Sequence, residues 1–414
     1  MVGFVWLRRC TSGGSTRTGP RVGVRDSATM AADVTLDDLD ARHHEVLAAL
    51  RTTSPVAWVE AVGGWVVTGR EASIAVMRDA VRFTVDDRRF STAQVVGPSM
   101  LSLDGTSHQR HRDPFAHAFR PAEVSRRHGD AVPELASALV RAIGPRGHAE
   151  LRRELAGPLA VAVVARSLGL EQVDPAQLLE WYDTIVAGVS EIAVGRPADD
   201  SARVAFARLG DALDTAAAHA DQHGQSSVLL DARRTLTRDE VVSNAAVFLF
   251  GGIETSEGMT ANLLHHVLVT PGALDAIRTD RELVDVAVEE SLRLEPAAAR
   301  VDRFATEDIE IGGAHIAAGD LVIVSLAAAN RDPAVYDEPD AFRLDRPNAR
   351  SHVTFAQGPH ACIGAQLARM EARAALDAVI DLLPDVELAE PSVTAGVVFR
   401  KPVAVHARWS VTSG

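Results

Sequence analysis

The chain has 414 residues, 47% of them hydrophobic, with 42 basic against 56 acidic side chains and a formal net charge of −14. That apolar content is ample for a core and excludes a disordered chain, while the acidic balance argues against a generic nucleic-acid binder. Two cysteines, Cys10 and Cys362, cannot build a disulfide framework, which fits a reducing, cytoplasmic compartment. No apolar run approaches the roughly eighteen residues needed to span a membrane.

Residues 1–29 are rich in Gly, Ser, Thr and Arg and carry no secretory pattern. A disordered leader over residues 1–34, with translation starting at Met30, and a single domain over 35–414 are expected. A helix is expected from Asp37 through Glu45, Val46 and Leu50. Residues 56–62 and 65–68 flank Gly63-Gly64 and read as a β-hairpin. A helix over 71–79 follows, then residues 84–100, aperiodic and containing Gly97-Pro98, as a long loop. Asp104 is the expected N-cap of the next helix, which sets His108 and Arg112 one turn apart on one face. Two donors aimed at one anion fit that spacing; so does a solvated basic face continuing through Arg110, Arg120, Arg126 and Arg127.

Residues 130–223 read as several helices, with 155–168 buried and Gly195-Arg-Pro breaking two others. Thr237-Arg-Asp-Glu240 has capping-box spacing and opens an almost wholly apolar helix towards Val269, stopped by Pro271. Gly251-Gly252 lies inside it, at a cost of roughly 1 kcal/mol per glycine. Close approach of a planar partner would justify the pair, with the Thr255 hydroxyl one turn on and Glu254 beside it. A kinked core helix whose threonine bonds back to the preceding turn is the other reading. Glu290 and Arg293 lie three apart in a helix over 284–294 and can pair. Strands are expected at 309–311, 321–324, 397–399 and 403–406.

The stretch F-A-Q-G-P-H-A-C-I-G-A-Q-L-A-R-M-E-A-R begins at Phe355 and turns helical after Cys362, with Leu367, Met370, Leu376, Val379 and Leu383 in helical period up to Pro384. A sulfur at a helix start favours thiolate, and Gly358 and Gly364 clear side chains from around it. Something large and flat bound by one thiolate, or a free cysteine serving as a small buried hydrophobe, both fit.

Taken in this order, the motifs resemble the cytochrome P-450 superfamily, specifically its soluble bacterial members, over roughly residues 35–410. They are F-x-x-G-x-x-x-C-x-G at Phe355, Gly358, Cys362 and Gly364; E-x-x-R at Glu290 and Arg293; G-x-[DE]-T at Gly252, Glu254 and Thr255; and H-x-x-x-R at His108 and Arg112. The resemblance implies a mainly α fold with small β-sheets, a helical triangular prism around a buried haem crossed by a long central helix. It implies haem b with Cys362 as proximal iron ligand, Gly251 in the groove beside it, and His108, Arg112, Arg303 and His360 on the propionates. Glu290, Arg293 and Arg346 are implied to form a structural network behind the cysteine loop. Ala356 departs from the glycine usual after the phenylalanine, which bears on loop rigidity and iron potential.

The implied activity is a haem-thiolate monooxygenase that inserts one atom of dioxygen into a hydrophobic small molecule, by hydroxylation or epoxidation. Thr255 is then the hydrogen-bond donor to dioxygen or an ordered water, and Glu254 a proton relay. Electrons are expected from a ferredoxin and ferredoxin reductase, with NAD(P)H as ultimate donor, docking on the arginines between Arg110 and Arg127. The substrate pocket is expected from residues 84–100, 181–194, 297–301 and 397–399, with Arg300 as a candidate carboxylate anchor. A peroxide-driven peroxygenase, against which Glu254-Thr255 argues, and a non-catalytic haem-binding protein are the alternatives.

Overall fold

The structure is a computed structural model that describes residues 33–193, 196–225 and 227–411. Cys10, the leader up to residue 32, Met30 and the break at Gly195 lie outside the described residues. The rest is mainly helical, with four small sheets among the described residues.

The organising element is the helix Arg238–Val269, 32 residues long. Its start is set chemically: the Thr237 hydroxyl accepts from the Glu240 N–H while the Glu240 carboxylate accepts from the Thr237 N–H. Two of the four orphan donors of the first turn are thereby satisfied. Apolar residues on nearly every side then require partners on every side. The helices Gly157–Leu168, Leu283–Leu294, Ala365–Leu382 and Asp200–Gln222 provide them. Leu263, Leu264 and Val267 share one core with Leu292, Leu376 and Val379. Burying each such side chain stabilises the fold by about 1.5–3 kcal/mol.

The largest sheet runs in the order Val56–Val59, Gly64–Val67, Leu321–Ser325, Arg300–Ala305, Phe83–Thr84. Only the pairing of Gly64–Val67 with Leu321–Ser325 is parallel. All four residues of Val56–Val59 and of Gly64–Val67 are buried, which explains their unbroken apolar reading.

Several local expectations are corrected. The first helix is two, Leu36–Ala41 and His43–Thr53, because Thr35 and Asp38 close a capping box on the first and the chain turns at Arg42. The hairpin strands are joined through a tight turn, Glu60–Val62, ending at Gly63 with φ 59°, so the first strand stops at Val59. Residues 84–100 are not one loop: Phe83–Thr84 is an edge strand and Ser91–Val96 a short helix. The apolar run from Leu155 opens with a wide π turn, Arg152–Ala156, before the α-helix begins at Gly157. In the tail, 397–399 contributes only a single bridge from Phe399 to Ala298, and the strands are Thr394–Ala395, Lys401–Pro402 and His406–Arg408. The strand Arg300–Ala305 went unread because its charged residues mask the alternation of a sheet buried by other elements.

Candidate active site

The cysteine loop is tied to itself by backbone bonds, Cys362 N–H to the Phe355 carbonyl (2.8 Å) and Ala361 N–H to the Gly358 carbonyl (3.1 Å). Gly358 is required by packing: its φ is 77°, and a Cβ there would sit 2.5 Å from the Met77 carbonyl oxygen. Gly364 is the N-cap of the helix Ala365–Leu382, so Cys362 precedes the first helical residue by three positions. Ala356 takes φ 58°, a left-handed conformation that costs an L-residue about 1–2 kcal/mol. Ala356→Gly is therefore expected to raise the stability of the protein by about 1 kcal/mol, read as a higher denaturant midpoint at unchanged slope.

Cys362 is accessible, yet protein surrounds it closely enough that desolvation raises its thiol pKa. Both hold if the sulfur opens onto an internal recess. The Gly364 N–H and the guanidinia of Arg112 and Arg369 pull the other way, but burial outweighs them. Burial thus favours the neutral thiol, and a coordinated metal cation would favour the thiolate. Among the described residues no three or more His, Cys, Asp or Glu side chains gather to hold a bare metal ion. A metal here would bring its other ligands with it.

Around the loop the fold collects cations from three elements. Arg112, on the helix Gly105–Ala116, donates to the Ala361 carbonyl at 2.6 Å. His108, one turn earlier, has its ring centroid 4.3 Å from that of His360. Arg303 is 4% exposed and donates to the Asp302 carbonyl at 2.8 Å. Asp104 occupies the N-cap position, but its side chain does not cap the helix. It accepts instead from Thr84 Oγ1 (2.6 Å), the Val85 N–H (2.9 Å) and His360 Nε2 (2.7 Å). Burial would raise its carboxyl pKa, but these bonds hold it well below the usual carboxylate range. Burial, then the nearby charges of His360 and Arg112, depress His108 to about 4. His108 Nε2 is buried with no hydrogen-bond partner among the described residues. An orphaned ring nitrogen among guanidinia asks for an anionic acceptor.

The central helix packs next to the cysteine loop. Ile363, next to Cys362, packs into the same apolar cluster as Leu249 and Ile253. Gly251 is exposed in mid-helix, and a Cβ there would meet nothing within 4 Å. Gly252 has a different reason: a Cβ would lie 2.2 Å from Val164 Cγ2, so this glycine serves helix packing rather than a planar ligand. The Thr255 hydroxyl donates to the Gly251 carbonyl one turn back. Glu254 is buried and turned elsewhere, 2.8 Å from Lys401 Nζ, an ion pair by distance though not aligned as a hydrogen bond. Lys401 also bonds Glu257 (2.7 Å), and Tyr182 lies beside Glu254, its phenol pKa raised by burial and by that carboxylate. Sequence reasoning missed Lys401 and Tyr182. The one available signal was that Lys401 is the sole lysine among forty-one arginines.

Glu290 lies behind the loop, fully buried. It receives Arg293 through Nε and Nη2 (both 2.8 Å), Arg346 Nε (2.8 and 3.0 Å) and the Arg343 N–H (3.1 Å). The remaining guanidinium N–H groups go to the carbonyls of Asn330, Asp337, Pro339, Glu338 and Ala341. Phe250 meets Phe399 edge-on at 5.7 Å, and Phe399 bridges to Ala298, so central helix, tail and the segment before Arg300 converge. Trp181, Ile185 and Val189 are buried in the core; Val194 lies outside the described residues. Arg300, 11% exposed, lies 3.3 Å from Asp302 and so is already neutralised. The arginine strip is also less basic than its sequence suggests, since Arg110 pairs with Glu240, and Arg126 and Arg127 with Glu123.

An accessible cysteine sulfur, an open glycine on the central helix that packs near it and an anion-seeking cationic group on one flank fit a haem. Comparison with known proteins agrees. The cytochrome P450 family model matches residues 221–383. The chain is 32% identical to the cytochrome P450 monooxygenase PikC of Streptomyces venezuelae, over 92% of this chain and 91% of that protein. It is also 32% identical to nocardicin C N-oxygenase of Nocardia uniformis subsp. tsuyamanensis, over 88% of this chain and 95% of that one. The crystal structure of P450BioI with a hexadec-9Z-enoic acid ligated acyl carrier protein superposes with TM-score 0.80 at 26% identity, covering 90% of this chain and 100% of that one. No helix among the described residues is long and apolar enough to cross a membrane. The chain belongs to the cytochrome P450 family and is a cytochrome P450 monooxygenase, an oxidoreductase of a family whose cofactor is a haem iron.

Proposed function

We propose that the protein inserts one atom of dioxygen into a hydrophobic small molecule, using haem b held by Cys362 and electrons from a ferredoxin and its NAD(P)H-dependent reductase in the cytoplasm. The observation that carries this reading is the accessible Cys362, flanked by the cationic donor Arg112 and followed by Ile363, which packs on the central helix that carries Gly251 and Thr255. The haem, when bound, supplies dioxygen activation, and the protein supplies binding, orientation and protons. Arg112, Arg303, His108 and His360 would hold the haem's anionic groups by charge-assisted hydrogen bonds, His108 Nε2 having no other partner among the described residues. Phe355, Gly358 and Gly364 shape the loop that presents the sulfur.

Thr255 holds a proton at Oγ1 on the same helix face as Gly251, where rotation about χ1 transfers its hydrogen bond from the Gly251 carbonyl to a ligand or water. Glu254 takes up protons from the side of Lys401 and Tyr182 and passes them towards that hydroxyl. Phe250 and Phe399 favour an apolar skeleton, whereas Asp302 beside Arg300 weighs against a carboxylate anchor.

Thr255→Ala is expected to keep the haem and its spectrum while diverting reducing equivalents to peroxide, with product per NAD(P)H falling about tenfold or more. The check is product, peroxide and NAD(P)H consumption in a reconstituted ferredoxin system. Unchanged coupling would remove Thr255 from its assigned role.

A further inference from the structure

Beside the Glu290 network, one residue earlier on the same helix, a second buried carboxylate faces the cysteine loop. Glu289, 4% exposed, accepts from Arg369 Nε at 2.6 Å and Nη2 at 3.1 Å, and from His352 Nε2 at 3.0 Å. Burial alone would raise its pKa, but the bonds from His352 and Arg369 bring it down to about 2. It is therefore an anion at any working pH. The guanidinium it holds lies over Phe355, its central carbon 4.5 Å from the ring centroid, and the His352 ring is 5.9 Å from the same ring. Phe355 in turn accepts the Cys362 N–H through its carbonyl.

The fork is thus fixed at one end by a bidentate carboxylate and at the other by an aromatic face. The guanidinia of Arg112 and Arg369 both favour negative charge on Cys362, whereas the Glu289 carboxylate that holds the Arg369 fork carries the opposite sign. Arg112 is spoken for by the Ala361 carbonyl and the cationic flank, whereas the partly buried Arg369 has no task in dioxygen activation, propionate binding or the Glu290 network.

We infer that Arg369, clamped between Glu289 and the Phe355 ring, is a positioning residue that holds its charge and Phe355 against the cysteine loop and so raises the reduction potential of the metal that Cys362 ligates. This rests on Cys362 being the iron ligand. The step concerned is a one-electron reduction: one electron enters the iron from a ferredoxin-class donor, no bond forms or breaks, and the centre becomes one unit more negative. A fixed cation favours that product, and the carboxylate behind it opposes it.

The two substitutions therefore have opposite signs. In a dithionite potentiometric titration at pH 8, where burial keeps His352 neutral, Arg369→Gln is expected to lower the midpoint. Glu289→Gln is expected to raise it, each by about tenfold in the reduction equilibrium, or about 59 mV. Arg369→Lys, which keeps the charge without the fork, recovers most of the wild-type midpoint. Shifts of the same sign, or no shift, in variants that keep the wild-type CO-bound spectrum overturn the inference. If Arg369→Gln does not fold, Glu289→Gln decides alone, and a midpoint that fails to rise overturns it. A wild-type protein that shows no thiolate-type CO spectrum removes the haem-thiolate reading itself; a normal spectrum with unmoved midpoints removes only the role of Arg369.

Discussion

Cys362→Ala is expected to fold and to lack, once reduced and exposed to CO, the red-shifted Soret band that a thiolate-ligated haem gives. Among the described residues there is no other cysteine and no His, Cys, Asp or Glu cluster that could hold a metal, so no substitute thiolate is at hand. The fold itself has little reason to fail. Cys362 lies outside the helix Ala365–Leu382, and its backbone bond to Phe355 is independent of the side chain. Removing the sulfur leaves the Glu290 network and the apolar packing of Leu367, Leu376 and Val379 untouched. The effect should be complete loss of the band, with circular dichroism close to wild type. A variant that kept the band would place the ligand elsewhere and end the present reading of the site.

Glu290→Ala should have the largest effect on stability. It removes the one carboxylate shared by Arg293 and Arg346, both almost wholly buried, and leaves two desolvated cations facing each other. Breaking one buried pair typically costs about 3–5 kcal/mol, and here one substitution breaks two. Against a total stability of about 5–15 kcal/mol, the variant is expected to accumulate poorly and to unfold at a far lower denaturant midpoint. Glu123→Ala is the matched control. Its partners Arg126 and Arg127 lie at the surface, where such pairs contribute up to about 1 kcal/mol, so its midpoint should barely move. Equal effects from the two substitutions would mean that the buried arginines find other acceptors, against the geometry described.

How much of this was legible beforehand varied with the range of the interaction. The capping box at Thr237 and Glu240, the stop near Pro271 and the helix after Cys362 were readable because capping and period are local properties of consecutive residues. The long helix read correctly even with two glycines inside it, since its apolar residues leave no side for water. The short helix Ser91–Val96 and the strand Arg300–Ala305 were not readable. Each is stabilised by what packs on it, and neither has a run long enough to show a period. Gly251 and Gly252 make the same point at one dipeptide. Their sequence signal is identical, yet one faces open space and the other lies against Val164.

The site divides along the same line. The sequence by itself determined which side chains the chemistry has to work with: one cysteine ahead of a helix, an acid and a hydroxyl in an apolar helix, an E-x-x-R pair, and His108 with Arg112 on one face. Only the tertiary structure decided how each is held. It set Asp104 on His360 rather than on its own helix end, and turned Glu254 towards Lys401, 147 positions further along the chain. It spent three arginines of the basic strip on acidic neighbours, and it laid Arg369 on Phe355 with Glu289 behind. The physical reason is that charge and burial are pairwise quantities. Composition and spacing state that a carboxylate exists and which face it occupies; its partner, its desolvation and therefore its protonation depend on residues brought within about 4 Å by the fold.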